Sequence, residues 1–257
     1  MKSTSLISWN VNGIRAVAKK GFLEWLAKSP ADLIAIQETK AAPNQLGANL
    51  LTPDGYRSFW NSAARPGYSG VALYAKIEPL KVQTEFTAPV LNGEGRILLA
   101  EFPEFYFLNV YFPNGKMSDA RLRFKLEFYE EFLKLIEKLR KQKPIVFCGD
   151  INTAHREIDL ARPQENEKIS GFLPIERKWL DKLIAKNYLD TFRELHPNEV
   201  KYSWWSVRSG ARERNVGWRI DSFFVSAELR KNITRAEIHN EVLGSDHCPI
   251  SLELKFS

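Results

Sequence analysis

Cysteine is scarce: only Cys148 and Cys248 occur. Each lies in or beside an apolar run, IVFCG and CPISL, where a small buried thiol is the expected occupant rather than half of a disulfide. A reducing compartment fits this usage better than secretion. No set of His and Cys has zinc-ligand spacing, and no Gly-rich loop matches a Walker or dinucleotide fingerprint. No stretch nears the ~18 consecutive apolar residues that would suggest a bilayer span. The N-terminus, MKSTSLISWN, has one basic residue and no apolar core of signal-peptide length. Fixed-period repeats, low-complexity tracts and Ser/Gly-rich linkers are also missing. The expectation is a soluble intracellular protein with no membrane partner.

What the chain does have is length and ordinary globular composition. Its 257 residues, 44% hydrophobic and 26% charged, suffice for a large core. A single α/β domain over residues 1–257 is expected. Lys and Arg exceed Asp and Glu by 37 to 31, a net charge of +6, which is compatible with nucleic acid without proving it. Short β-branched or aromatic runs predict strands at 5–11, 33–37, 70–74, 96–102, 106–111, 145–148, 220–225 and 250–254. Several are apolar throughout, so they belong in sheets covered on both faces. Apolar residues spaced by three and four predict a helix over 119–140, with Ser118 as N-cap, and further helices over 17–27 and 174–186. Strands outnumber helices and often follow one another, which implies mixed sheets.

The predicted strands share a kind of ending. LISWNVN closes on Asn10 and Asn12, DLIAIQE on Glu38, and IVFCGDIN on Asp150 and Asn152. RIDSFFV opens near Asp221, and SDHCPI sets Asp246 and His247 just ahead of a strand. Antiparallel neighbours would gather all these ends at one edge. Each residue alone reads as a turn cap or a solvated side chain. Together they are unfavourable unless a cation or a shared proton compensates. Oxygen-only donors suit Mg²⁺ or Mn²⁺, so a hard-metal hydrolase is the natural inference.

The strings SWNVNGIRA, IQETK, GYSGVA, EGRI, YFPNG, GDINTAHREIDL, YSWWS, NVGWRID and GSDHCPI resemble the ordered motifs of the exonuclease III family of apurinic/apyrimidinic (AP) endonucleases, across residues 6–254. The resemblance implies a DNase I-like four-layer α/β sandwich, two mixed β-sheets flanked by helices, with the active site at one end. It implies Glu38 as principal metal ligand, Asn12 and Asp246 close to the metal, and Asn10 orienting that shell. Asn10, Asp150 and Asn152 would serve a second metal site if there is one. Tyr111 and Asn152 would contact the scissile phosphate. Asp150 would activate water or protonate the leaving group, and His247, paired with Asp221, would stabilise the phosphate or act as base. Both assignments of the base stay open at this point.

The stretch 204–219, WWSVRSGARERNVGWR, interleaves Trp with Arg. The resemblance assigns Trp204, Trp218 and Ile220 to a pocket for an extruded abasic sugar, and leaves Trp205 to pack inward. Arg15, Lys40, Tyr68 and Arg96 match contacts to the DNA backbone, and Asn114 and Asn166 match phosphate contacts. Met117 stands where eukaryotic relatives place an Arg that enters the major groove, and Arg208 where they place a minor-groove Met. Asn12 replaces an Asp of those relatives, and Ile169 an Asn that binds phosphate in some. The whole is prokaryotic in type. It implies a Mg²⁺-dependent AP endonuclease of base-excision repair, with 3′-end trimming and 3′→5′ exonuclease activity. The enzyme would act as a cytoplasmic, nucleoid-associated monomer on double-stranded DNA with abasic sites or blocked 3′ ends. Two alternatives are a phosphoesterase of the same superfamily acting on phospholipid, inositol phosphate or RNA, and a non-catalytic DNA-binding module. The first should lack the tryptophan pocket, and the second should lack Glu38, Asp150 or His247.

Overall fold

Side chains of a strand point alternately to its two faces, so a strand apolar throughout needs cover on both. The computed structural model, which describes residues 2–256, supplies that cover with two six-stranded sheets packed face to face. The strands are β1 (Lys2–Asn10), β2 (Leu33–Gln37), β3 (Arg57–Asn61), β4 (Val71–Ala75), β5 (Lys81–Gln83), β6 (Ile97–Glu101) and β7 (Tyr106–Tyr111). Then follow β8 (Ile145–Asp150), β9 (Tyr188–Asp190), β10 (Trp204–Trp205), β11 (Gly217–Trp218), β12 (Asp221–Ser226), β13 (Ile233–Ile238) and β14 (Ile250–Phe256). One sheet runs β13-β14-β1-β2-β4-β3 and the other β5-β6-β7-β8-β12-β9, with β10 and β11 forming a separate ribbon. Both sheets are mixed: β1 lies parallel to β2 and β7 to β8, among antiparallel neighbours.

The helices are α1 (Ile14–Ala18), α2 (Phe22–Lys28), α3 (Ala48–Leu51), α4 (Asp119–Arg140), α5 (Pro163–Asn166), α6 (Pro174–Ala185) and α7 (Thr191–Leu195). On β2, Leu33 and Ala35 enter the core between the sheets with Leu98, Phe107, Val146 and Phe223. Ile34 and Ile36, one residue out of phase, face Ile14, Val17, Phe22 and Leu26 of α1 and α2. Beyond the second sheet, Leu108, Phe147 and Phe224 pack on Phe128, Phe132 and Ile136 of α4 and on Trp179 and Leu183 of α6. The result is the expected four-layer sandwich. Full burial of one Phe here contributes ~1.5–3 kcal/mol before entropy is counted.

α4 spans the predicted residues, and the Ser118 side chain caps it by accepting from Arg121 N at 3.2 Å. The helix expected over 17–27 is instead two, α1 and α2. Gly21, with φ +93°, turns the chain between them in a conformation that side-chain-bearing residues avoid. β8 runs on to Asp150 and β14 to Phe256, beyond the predicted limits, and the strand predicted at 5–11 is Lys2–Asn10. Gly70, φ +90°, is excluded from β4 by its own turn. β3, β5, β9 and β13 were not predicted. They are short or half-exposed and lack a clean apolar period. Both cysteines are buried and free. Among the described residues no helix is long and apolar enough to cross a membrane.

Candidate active site

β1, β2 and β8 end where β12 and β14 begin. Asp221 lies directly across from Asp150 in the β8–β12 ladder, and β14 starts beside Ser8 of β1. The polar strand ends foreseen from the sequence therefore meet at one end of the sandwich. Asn10 links the two sheets: its Nδ2 donates to Glu38 Oε2 at 3.0 Å and to Asp150 Oδ2 at 2.9 Å. Its Oδ1 accepts from Asn12 N at 3.0 Å. Asn12 Nδ2 donates to Asp246 Oδ1 at 2.9 Å, and Trp204 Nε1 donates to Asp246 Oδ2 at 3.0 Å. Asn152 donates through its backbone to Asp150 Oδ1 at 2.8 Å, and Asn114 Nδ2 donates to Asn152 Oδ1 at 2.9 Å.

The backbone is contorted where these groups are displayed. Asn12, Glu38, Lys40 and Asn152 all have φ between +48° and +58°, a region that L residues occupy at a cost. Gly149 (φ +137°) precedes Asp150, and a Cβ there would lie 1.8 Å from Val110 O, so glycine alone permits this close approach of β8 to β7. Asn152 is held from beneath by Lys125, which is fully buried in α4. Lys125 Nζ donates to Asn152 O and Thr153 Oγ1 at 2.8 Å and pairs with Glu176 Oε1 at 2.6 Å. Sequence reading missed Lys125 and Glu176. The available signal was a lysine interrupting the apolar stripe of α4 between Leu122 and Tyr129.

His247 Nδ1 lies 2.9 Å from Asp221 Oδ2, and its Nε2 faces Asp150 Oδ2 at 3.9 Å. Ser203 Oγ donates to the same Asp221 oxygen at 2.6 Å and fixes the carboxylate in place. Burial opposes charge on the imidazole, yet the Asp221 carboxylate, with Asp150 and Asp246 beyond it, pushes His247 up to about 10. Burial pushes the Asp150 carboxyl up to about 7 against the pull of His247. Burial, with Glu38 and Asp150 adding to it, holds the Tyr111 hydroxyl well above its ordinary range, so it remains a donor. Asp246 is held below the usual carboxylate range: burial works against this, but His247, Trp204 and Asn12 prevail.

The donors fit a hard cation. The Lys40 ammonium is bound by Glu38 Oε1 at 2.9 Å and by Asn12 Oδ1, so these oxygens already converge on a positive charge. All are carboxylate or amide oxygens, the set preferred by Mg²⁺ or Mn²⁺. Asp150, Asp221 and His247 also bring ligand atoms within 4.8 Å of one another. A His charged by Asp221 repels a metal ion, however, and this trio is better suited to proton and phosphate chemistry.

Beside the polar cluster lies an apolar recess. Trp218 and Ile220 pack with Ala154, Leu160 and Phe172, and Trp204 closes against them. The Trp204 and Trp218 rings stand 6.4 Å apart at 80°. Phe172 was not foreseen. Trp205 packs inward as expected, 2% exposed, with the Arg212 guanidinium over its ring. Lys116, also unforeseen, reaches over both pocket indoles.

Around this centre the expected DNA contacts sort unevenly. Arg15 on α1, Met117 (87% exposed) and Arg208 lie open to solvent, and Lys40 and Tyr68 are half-buried. Asn166 on α5 donates to Arg162 O at 2.8 Å. Arg96 requires correction: it is 3% exposed and therefore no open backbone contact. Its guanidinium pairs with Glu94 at 2.6 Å, donates to Tyr111 O and Tyr68 OH at 2.9 Å, and stacks 4.7 Å from the Tyr111 ring. It positions two tyrosines instead.

A sandwich of two mixed sheets with carboxylates, amides and a carboxylate-bound imidazole at one end defines a class of phosphoesterase, and the chain belongs to the Endonuclease/Exonuclease/phosphatase family, which matches it over residues 7–247. The resemblance to exonuclease III-type AP endonucleases holds along nearly the full length. The chain is 43% identical to an exodeoxyribonuclease of Bacillus subtilis (strain 168), covering 96% of this chain and 98% of that one. It is 40% identical to the DNA repair nuclease APEX1 of Danio rerio, over 97% of this chain and 81% of the other. An AP endonuclease structure from Archaeoglobus fulgidus superposes with a TM-score of 0.89 at 25% identity, covering 98% of this chain and all of that one.

Proposed function

We propose that the protein is a Mg²⁺-dependent AP endonuclease of DNA base-excision repair, acting as a single domain. It hydrolyses the phosphodiester 5′ to an abasic site in duplex DNA, leaving 3′-OH and 5′-phosphate ends, and it trims blocked 3′ ends. The observation that carries this reading is the adjacency of two features: the Asp221–His247–Asp150 array and the Trp204–Trp218 recess, joined through the Trp204–Asp246 hydrogen bond. A phosphodiester needs the first, and a baseless sugar turned out of the helix fits the second.

Glu38, with Asn12 and Asp246, would hold the cation, and Asn10 keeps Glu38 and Asp150 in register. When bound, the cation opposes the negative charge that builds on the phosphate. Tyr111 and Asn152 donate to the phosphate oxygens. His247, with its Nδ1 engaged by Asp221, presents a positive Nε2 side to the same oxygens. That leaves Asp150 to take the proton from the attacking water, a role suited to a carboxyl poised at about 7. The test is cleavage of a duplex bearing one tetrahydrofuran abasic site. A cut 5′ to the site, abolished by EDTA and restored by Mg²⁺ or Mn²⁺, is expected. Full activity in EDTA, or no preference over intact duplex, would overturn the reading.

A further inference from the structure

We propose that Lys116 ranks the substrates of this site, favouring a phosphate monoester at a 3′ end by compensating the extra negative charge that a monoester carries over a diester. The inference rests on the reading of Trp204 and Trp218 as walls of the sugar pocket. Lys116 Nζ lies 5.4 Å from the Trp204 ring centroid and 5.2 Å from that of Trp218. Among the described residues no carboxylate forms an ion pair with this ammonium, which lies against the two π faces while Glu176 and Asp150 act on it from farther off.

The lysine backbone is tied to the phosphate side of the site as well. Lys116 N donates to Asn114 Oδ1 at 2.9 Å, and Asn114 Nδ2 donates to Asn152 Oδ1 at 2.9 Å. The side chain as a whole is exposed, but desolvation lowers the ammonium's pKa from the ordinary lysine value against the pull of the Glu176 and Asp150 carboxylates. The ammonium therefore stands where the sugar pocket meets the phosphate position.

The chemistry follows from what each substrate places there. At an abasic site the scissile phosphorus carries one negative charge, and its bridging O5′ leads to a neutral sugar in the pocket. In a 3′-phosphate that bridge is replaced by a terminal oxygen, and the group carries ~1.5–2 negative charges near neutral pH, by analogy with other phosphate monoesters. Lys is a compact point charge, and a partly desolvated one interacts more strongly than it would in bulk water. A cation over the pocket mouth with no direct ion-pair partner thus helps the monoester more than the diester.

The experiment compares kcat/KM in Mg²⁺ on a nicked duplex ending in 3′-phosphate with that on a tetrahydrofuran duplex. Lys116→Met should lower the first by ~10-fold or more and the second by less than about twofold. Lys116→Arg should retain most of the 3′-phosphate activity, because the charge and not the shape is at work. Equal losses on both substrates, no loss on either, or failure of Arg to rescue would overturn the proposal. A wild-type protein that cuts the tetrahydrofuran duplex but leaves 3′-phosphate untouched also overturns it, with the AP endonuclease reading intact. Wild-type protein that attacks neither substrate overturns both.

Discussion

His247 and Asp150 face one another at 3.9 Å with opposite demands on the proton, and their neighbours decide which holds it. Asp221 and Ser203 supply the imidazole with a fixed carboxylate, while Asp150 sits in a buried strand end. Asp150→Asn and His247→Asn should each lower kcat by ~10²-fold or more while changing DNA affinity little, as loss of groups used in the transition state does. Single-turnover rates and equilibrium binding on the same abasic duplex check this. Their placement was legible because Asp150 follows an apolar run and His247 stands just ahead of one, while their roles came from the family resemblance. Arg96 was misread because an arginine declares its charge in a sequence but not its burial. Arg96→Ala should weaken stability by ~1–3 kcal/mol through the lost bonds to Glu94 and Tyr111. It should leave the salt dependence of DNA binding at its wild-type slope; a shallower slope would return Arg96 to the DNA surface.

At the scale of elements, the inner strands of both sheets were legible because burial on two faces demands unbroken apolar runs, as in Leu33–Gln37 and Ile145–Asp150. Edge strands carry no such demand. β3 is half-exposed along its length, and β5 has three residues, so neither leaves a pattern. The break between α1 and α2 hides within a continuous helical period, marked only by Gly21. Gly149 shows how much one element junction can rest on a missing side chain. Gly149→Ala would set a methyl carbon 1.8 Å from Val110 O, and β8 must then part from β7 beside Asp150. The expected loss of stability exceeds the ~1 kcal/mol typical of point substitutions. Urea denaturation measures it, with Gly55→Ala as control, since a Cβ at Gly55 (φ +79°) meets nothing within 4 Å.

For the whole molecule, the excess of six positive charges becomes meaningful once Arg15 and Arg208 are seen to lie exposed. Duplex affinity should fall with salt, and Arg15→Ala should weaken binding to damaged and intact duplex alike, making the log–log slope shallower by roughly 0.9 if it neutralises one phosphate. Loss of abasic preference with an unaltered slope would remove Arg15 from the backbone footprint. Arg208, in the exposed loop after β10, is expected to brace the gap left by an extruded sugar. Arg208→Ala should then weaken binding to abasic duplex more than to intact duplex, and spare cleavage of abasic single strands. Uniform losses on all three would reduce it to an electrostatic contact.

Asn10 ends β1 and His247 stands just ahead of its paired neighbour β14, yet most of the chain separates them. A ribosome makes β1 well before β14. A nascent chain can present Glu38 and Asp150 long before any imidazole arrives to stand between Asp221 and Asp150. Closing so distant a pairing is slow and comes late. A chain truncated before Asp246 therefore carries Glu38, Asp150 and Asp221 without the imidazole that pairs with Asp221, the same carboxylates with a different balance of charge.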